Sequence, residues 1–369
     1  MSHRRPSVAM PAAAALLIAG FLCACNYSGE EPVKEKDFAV NASVKTAIGA
    51  AGSTFVHPIM TKWIDAYEQS HPGMLVNYRP VGSGAGIESL RQNTTEIAAS
   101  DMPLSDEQLK SMVPIIQVPI TAGAVCAVYN LPSVKNPLRF SASTLAGIFL
   151  GNIISWQDPA IAHDNPGVPL PHAAIIVVHR SEGSGTTSIF TSYLAKVSAD
   201  WSKRVGSGLS VQWPVGISEQ GSSGVLEFVK QNVGTIGYAE LNYAAAAHLP
   251  VASIQNRAGS FVAPNAASTT AAIQAFEQEL TTDARASIVD PPASAKEAYP
   301  ISGLSFFLIA RDGSDAAERQ AIRDFTQYII TNGQDLSEGL DYARLPKSVQ
   351  DRAVSLLGQM QTTPQPKST

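Results

Sequence analysis

The chain alternates between short apolar stretches bounded by glycine and longer stretches in which apolar residues recur with the helical period. From Phe55 to Tyr67 the apolar side chains fall on one face of a predicted helix, and a second such helix runs from Thr186 to Val197. Short apolar stretches predict strands at 75–78, 96–99, 175–178 and 235–238. This alternation predicts an α/β protein with mixed sheets that carry helices on both faces.

The N-terminus carries an export signal. A basic segment, His3-Arg4-Arg5, precedes an apolar run from Met10 to Leu22, the order expected of a secretory signal peptide. The run is too short to span a bilayer well. It ends in Leu22-Cys23-Ala24-Cys25, which resembles the lipobox of bacterial lipoproteins. The resemblance implies that residues 1–24 are removed and that Cys25 becomes lipidated, whereas the alternative is a plain signal peptide that is cut nearby.

Composition indicates a folded protein rather than a disordered one. Hydrophobic residues make up 45% of the chain and charged residues only 15%, a balance that disfavours a disordered or coiled-coil chain. The formal net charge of −5, without a long block of basic residues, excludes nucleic acid as an expected partner.

Residues 25–43 lack apolar periodicity and predict a flexible tether. Cys126 lies in an apolar stretch, so we expect a buried core side chain.

Three corners of the chain share one design, in which a strand ends, Ser, Thr and Gly turn the chain, and a helix begins. They occupy residues 49–55, 81–86 and 180–186. The first amides of a helix are unpaired and lie at the positive end of the helix dipole, so such corners bind anions. Ser and Thr also cap helices in most proteins, which is the simpler interpretation of any one corner. Three corners in one chain, one of them with Arg180, favour a shared oxyanion site.

Several familiar chemical motifs are absent. No lysine follows a glycine-rich corner, so the phosphate loop GxxxxGK[ST] is missing, and the corner at Gly82 does not match the dinucleotide pattern GxGxxG. No serine stands two residues from a glycine on both sides, as a nucleophile elbow requires. The seven histidines show no metal-ligand spacing. The sequence therefore predicts no cofactor and no metal ion.

The corner segments, together with Ala99-Ser100-Asp101-Met102-Pro103-Leu104-Ser105, resemble the ligand segments of the phosphate-binding proteins of bacterial ABC-type phosphate transporters, the PstS family. The resemblance keeps order and spacing from about Thr46 to Leu357. It implies a two-lobed class II periplasmic-binding-protein fold with the ligand in a cleft between the lobes. The expected boundaries are 44–121 plus 301–362 for lobe 1, 122–300 for lobe 2, and 363–369 for a frayed tail. The chain would cross between lobes near 119–123 and 298–303.

The same resemblance implies the residues that would face phosphate. Lobe 1 would supply Thr54, the Phe55 amide, Ser83 and Asp101. Lobe 2 would supply Arg180, Ser184, Gly185 and Thr186. Hydroxyl groups and helix-start amides would donate hydrogen bonds, and the planar guanidinium suits two phosphate oxygens. Glu182, where family members more often have Asp, would orient Arg180, and Gly84 replaces a frequent Ser.

A carboxylate in an anion site requires an explanation, and Asp101 provides one if the ligand carries a proton. Phosphate keeps at least one proton near neutral pH and can donate it to an ionised Asp, whereas sulfate has none and would oppose one acceptor with another. The unmade bond costs about 1 to 3 kcal/mol or more, which is tenfold discrimination or better. The alternative is that Asp101 only caps the helix that follows Pro103.

The predicted function is that of a high-affinity phosphate receptor, which delivers phosphate by hinge closure to the membrane permease subunits of an ABC importer. We expect a monomer that catalyses no reaction and is lipid-anchored at a bacterial membrane, in the periplasm or at the cell surface. Alternatives from the sequence are a phosphatase-like enzyme with a hydroxyl nucleophile, a binding protein for sulfate or molybdate, and a surface adhesin or sensor that retains the fold.

Overall fold

A computed structural model describes residues 45–313 and 315–361 of the chain. The predicted signal peptide, Cys25, the tether and the predicted C-terminal tail lie outside the described residues. Within the described ranges, no helix combines the length and the apolar character needed to cross a membrane.

The described chain alternates strands with helices, as predicted, and the predicted elements are found with small shifts at their ends. The strands are β1 Thr46–Gly52, β2 Met74–Arg79, β3 Ile97–Ser100, β4 Ile115–Tyr129, β5 Arg139–Phe140, β6 Ile176–Arg180, β7 Ile217–Glu219, β8 Thr235–Glu240, β9 Ser253–Gln255, β10 Phe261–Val262 and β11 Ser302–Ala310. The helices are α1 His57–Ser70, α2 Ser83–Arg91, α3 Asp106–Leu109, α4 Ala142–Phe149, α5 Pro159–Asp164, α6 Gly185–Val197, α7 Ala199–Arg204, α8 Gly221–Gln231, α9 Leu241–Ala246, α10 Ala266–Ala275, α11 Glu277–Thr282, α12 Ala316–Ile330 and α13 Lys347–Leu357.

Eight strands form one mixed sheet in the order β2-β1-β3-β11-β4-β8-β6-β7. At one end of the sheet β1 pairs in parallel with β2 and β3, and at the other end β6 pairs in parallel with β7 and β8. Both groups join through antiparallel pairing to the central strands β11 and β4. A smaller sheet has the order β10-β9-β5. The predicted α/β class is therefore confirmed.

The two parallel groups of strands run in opposite directions, and the long strand β4 lies between them. Its residues up to Ala124 pair with β11, and its residues from Val125 onward pair with β8. Strand β3 runs in the same direction as β4, because both are antiparallel to β11, whereas β8 runs in the opposite direction. The carboxyl ends of β3 and β8 therefore face each other across the middle of β4. Ligands of open α/β sheets bind outside the carboxyl ends of strands.

Packing follows the predicted apolar pattern. Helix α1 buries Ile59, Met60, Trp63 and Tyr67 on one face, which is the face that the helical period predicted. Cys126 lies in β4 and is fully buried, as expected of a core side chain. The apolar faces of α1 and of the central strands thus hold the strand ends in fixed positions.

A second apolar cluster joins distant parts of the chain. Ile273 from α10, Leu280 from α11 and Ile288 pack in one cluster with Leu304 and Phe306 from β11. The segment between α10 and β11 therefore packs against β11.

We expect Gly52→Ala to destabilise the protein by at least about 2 kcal/mol, because the strain of a side chain at positive φ adds to the cost of a steric clash. Gly52 has a φ of 139°, and an added Cβ would lie 2.1 Å from the Ala99 carbonyl oxygen. Urea unfolding followed by circular dichroism measures the change.

Gly339→Ala is the matched control, since an added Cβ there meets no atom within 4 Å. Its free energy of unfolding should stay close to that of the wild type. Equal stability of the two variants would show that the close approach of β1 to β3 does not constrain residue 52.

Candidate functional site

The four predicted ligand segments meet at the facing strand ends. Ser53 and Thr54 follow β1, Asp101 follows β3, and Arg180 is the last residue of β6. The amino end of α6 lies directly against Asp101, because a Cβ added to Gly185 would come within 2.4 Å of Asp101 Oδ2. Residues that are far apart in the sequence thus form one polar cluster.

Asp101 is the centre of this cluster. Its side chain accepts hydrogen bonds from Ser53 Oγ, at 2.7 Å to each carboxylate oxygen, and from Ser305 Oγ at 2.6 Å to Oδ1. Ser83 Oγ lies farther away, at 3.4 Å from Oδ2. Burial raises the pKa of Asp101 to about 7, although the hydrogen bonds from Ser305 and Ser53 favour its ionised form. The residue is 5% exposed.

The structure shows which of the predicted site residues also cap helices. Helix α3 begins with a capping box, in which Ser105 accepts from the Gln108 amide and the Gln108 side chain accepts from the Ser105 amide. The alternative that Asp101 caps this helix is therefore wrong. Ser184, by contrast, accepts from the Thr187 amide at 3.2 Å and caps α6 with its hydroxyl.

Arg180 is buried and its guanidinium is held from three sides. Nη2 donates to Thr54 Oγ1 at 3.0 Å, Nη1 donates to Ser222 Oγ at 2.9 Å, and Nε donates to Glu182 Oε1 at 2.7 Å. A longer contact of 3.4 Å joins Nη1 to Thr186 Oγ1. The side chain is thus in a fixed orientation, and its charge lies beside the hydroxyls of both parallel groups of strands.

The Glu182 carboxylate contacts two partners, one through each oxygen. Oε1 accepts from Arg180, and Oε2 accepts from the Gly221 amide at the start of α8 at 3.2 Å. Burial by itself would raise the pKa of Glu182, but the hydrogen bond and charge of Arg180 hold this pKa below its ordinary value. An ionised Glu182 therefore both orients the guanidinium and binds a helix amino terminus.

A third carboxylate belongs to the cluster. Glu240, at the end of β8, is 1% exposed and accepts from Thr186 Oγ1 at 2.5 Å through Oε1. Its Oε2 is buried and has no hydrogen-bond partner among the described residues. Its charge also raises the pKa of Asp101. The described residues contain no group of three or more His, Cys, Asp or Glu side chains that could hold a metal ion.

The glycine at position 84 has a structural reason. The Gly84 amide donates to the Gly183 carbonyl at 2.9 Å, so two of the predicted ligand segments touch through their backbones. A Cβ added to Gly84 would lie 3.1 Å from Gly183 Cα. A side chain at this position would crowd the contact between the two segments.

The amino ends of α1 and α2 also point to anion binding. Helix α1 begins two residues after Phe55, and neither α1 nor α2 has a side-chain hydrogen bond that caps its first amides. The backbone before α1 is fixed by tyrosine hydroxyls, since Tyr78 donates to the Ser53 carbonyl at 2.5 Å and Tyr342 to the Phe55 carbonyl at 2.5 Å. Uncapped, rigidly held amides are suited to an anion.

Sequence reasoning missed four residues that the structure places in this cluster. Ser53 and Ser222 had a usable signal, because each lies in a Ser- and Gly-containing corner just before or at the start of a helix. Ser305 had none, because it lies inside β11, and Glu240 had none, because it ends β8 with no Ser, Thr or Gly cluster after it. Only strand pairing brings these two residues to the cluster.

The sequence is similar to known phosphate-binding proteins. The sequence matches the PBP superfamily domain over residues 39–332. It is 39% identical over 303 residues to the phosphate-binding protein PstS of Xylella fastidiosa (strain 9a5c), covering 82% of each chain. It is 38% identical over 304 residues to that of Haemophilus influenzae, covering 82% of this chain and 90% of the relative. The chain therefore belongs to the PBP superfamily and, within it, to the PstS family of phosphate-binding proteins.

Solved structures agree on the fold. The structure of PfluDING, described as a high-affinity periplasmic phosphate-binding protein bound with phosphate, superposes with a TM-score of 0.68 at 22% identity. The match covers 87% of this chain and all of that chain. The chain thus has the periplasmic-binding-protein fold that the sequence resemblance implied.

We expect Asp101→Asn to remove most of the fall in stability that the wild type shows as the pH rises. The pKa of Asp101 is about 7 in the folded protein, above its ordinary value of 3.8. The folded state therefore holds an extra proton between these values, and the free energy of unfolding falls by a few kcal/mol as the pH rises through them. Urea unfolding at about pH 4.5 and pH 8 measures this difference.

Asp65→Asn is the control, because Asp65 is exposed on α1. Its pH dependence should run parallel to that of the wild type. If Asp101→Asn also ran parallel, burial would not be the dominant influence on the Asp101 carboxyl.

Proposed function

We propose that this protein is an extracytoplasmic receptor that binds inorganic phosphate with high affinity and delivers it to the membrane permease subunits of an ABC importer. Its relatives in the PstS family carry the name phosphate-binding protein. The observation that carries the proposal for this chain is the presence of a buried guanidinium, Arg180, and a buried carboxylate, Asp101, in one cluster of hydroxyl groups and helix amino ends. The proposed role is binding without turnover.

The two charged groups suit different parts of one ligand. Arg180 can donate to two oxygens of a tetrahedral anion, and the helix-start amides donate to others. Asp101 can accept the proton that phosphate carries, whereas an unprotonated oxyanion would place its own oxygen against this carboxylate. The proposed phosphate ligands are Thr54, the Phe55 amide, Ser83, Asp101, Arg180, Ser184, Gly185 and Thr186.

We also propose that binding closes a hinge between two lobes, 44–121 plus 301–362 and 122–300. The change of partner along β4, from β11 to β8, supports a crossing near Val125. The Val125 amide donates to the Ile301 carbonyl at 2.9 Å, which supports a second crossing within 298–303, beside the first. Contacts that would join the lobes include the hydrogen bond from Arg180 to Thr54.

The export signal supports the location of the protein. A basic segment, an apolar run and the Cys25 lipobox favour a lipid anchor at a bacterial membrane, with the tether 25–43 between the anchor and the folded part. We propose that the receptor acts as a monomer on the extracytoplasmic face.

Phosphate titration of the ligand-stripped protein by calorimetry tests the binding proposal. We expect tight, saturable binding by the wild type and no competition from sulfate. Arg180→Ala should weaken phosphate binding by at least about 2 kcal/mol, roughly thirtyfold, because a charge-assisted contact is lost. Binding of sulfate in preference to phosphate would overturn the proposal.

Arg204→Ala is the matched control, because Arg204 lies on α7 and forms an exposed ion pair with Asp200. Its affinity for phosphate should equal that of the wild type. An unchanged titration for Arg180→Ala would remove this residue from the site.

The anchor is tested in cells that express the full chain. Labelled palmitate should be incorporated into the wild type and lost in Cys25→Ala, because acylation requires that thiol. Cys23→Ala is the control and should still be labelled. Recovery of unlabelled wild-type protein in the soluble fraction would show that the segment is a plain signal peptide.

A further inference from the structure

Two buried serines hold the carboxylate of Asp101, and neither has a proposed ligand role. Ser53 and Ser305 are both fully buried, and the hydroxyl of each donates to Asp101. Ser53 stands at the end of β1, whereas Ser305 belongs to β11 at the point where its pairing with β4 shifts in register before Phe306. The two donors therefore reach the carboxylate from different strands.

The hydrogen bonds distinguish the two carboxylate oxygens. Oδ1 accepts from Ser305 at 2.6 Å, and the single hydrogen of the Ser53 hydroxyl, whose Oγ lies 2.7 Å from each oxygen, is shared between Oδ1 and Oδ2. Oδ2 shares the Ser53 hydroxyl and has only a long contact of 3.4 Å with Ser83. It is also the oxygen that lies against Gly185 at the amino end of α6. One oxygen is thus committed to the protein, and the other retains acceptor capacity at the proposed phosphate position.

We propose that Ser53 and Ser305 are positioning residues for anion selection, which fix Oδ1 of Asp101 so that Oδ2 faces the ligand as an ionised proton acceptor. This inference rests on the proposed function and adds to it the residues that make the acceptor selective. A carboxylate held in this way accepts a hydrogen bond from the protonated oxygen of hydrogen phosphate. Sulfate has no such proton, so its oxygen would be repelled by the carboxylate oxygen.

The direction of the effect follows from what the hydroxyls bind. Donors that contact the carboxylate stabilise its ionised form, so their removal raises the pKa of Asp101. A neutral Asp101 has a proton of its own and can donate it to sulfate. Loss of either serine hydroxyl should therefore relax the exclusion of sulfate. The other titratable groups whose charges bear on Asp101, or on which its charge bears, are Tyr78, Arg180, Glu240, Tyr243 and Tyr342.

The experiment compares Ser305→Ala with Ser302→Ala. Ser302 is also fully buried in β11, but its hydroxyl donates to the Tyr299 carbonyl at 2.9 Å and not to Asp101. Phosphate and sulfate affinities are measured by calorimetry from about pH 5 to pH 9. We expect Ser305→Ala to lower the ratio of phosphate to sulfate affinity by about tenfold at neutral pH. The pH above which sulfate is excluded should also move upward, whereas Ser302→Ala should match the wild type.

Two further variants keep the test decisive if Ser305→Ala folds poorly. Ser53→Ala should change the ratio in the same direction, and Ser305→Thr should restore it because the hydroxyl is retained. In the Asp101→Asn background, Ser305→Ala should have no further effect on the ratio, since the group through which it acts is gone.

The outcomes separate this inference from the proposed function. A wild-type protein that does not bind phosphate would overturn the function. A wild type that binds phosphate, together with Ser53→Ala and Ser305→Ala variants that keep its ratio and pH profile, would overturn only the positioning role. Equal effects of Ser302→Ala and Ser305→Ala would also overturn it, because burial of a hydroxyl in β11 would then be the common cause.

Discussion

Burial of the Asp101 carboxylate among hydroxyl donors is the constraint on which the rest of the site depends. A carboxylate that is 5% exposed must be hydrogen-bonded or it loses its charge. The serines that meet this need are the residue after β1, the first residue of α2 and a residue of β11. The strands that carry these donors must therefore keep their register, and the same carboxylate is then in place to accept a proton from a ligand.

The formal charges around Asp101 provide little net attraction for an anion. Asp101, Glu182 and Glu240 surround a single guanidinium, that of Arg180, and the whole chain has a net charge of −5. An anion that binds here must be held by oriented dipoles and hydrogen bonds, which act at short range and only in a dry, rigid site. This explains why helix amino ends and hydroxyl groups dominate the cluster, and why the tyrosines that fix the corner before α1 matter.

Local signals in the sequence were sufficient for the elements and for most of the site. Helix α1 lies where the apolar period of its segment indicates, and the corner at Gly183 precedes α6 as its Ser and Gly content requires. The family resemblance supplied the expected roles of Asp101 and Arg180, and the structure places these residues in one cluster. The same reasoning could not find Ser305 or Glu240, because a serine or glutamate inside a strand looks like any other polar residue until its neighbours on other strands are known.

By itself, the sequence determined which segments become strands and helices, where the anion-binding corners begin, and which family the chain belongs to, because these follow from residue periodicity, glycine and hydroxyl content, and local order. Only the tertiary structure decided that Asp101 is held by Ser53 and Ser305, that Glu182 spans Arg180 and the start of α8, and that Gly84 packs closely against Gly183. Each of these arrangements joins segments that are far apart in the sequence and that the fold brings together. A local sequence pattern carries no information about such contacts.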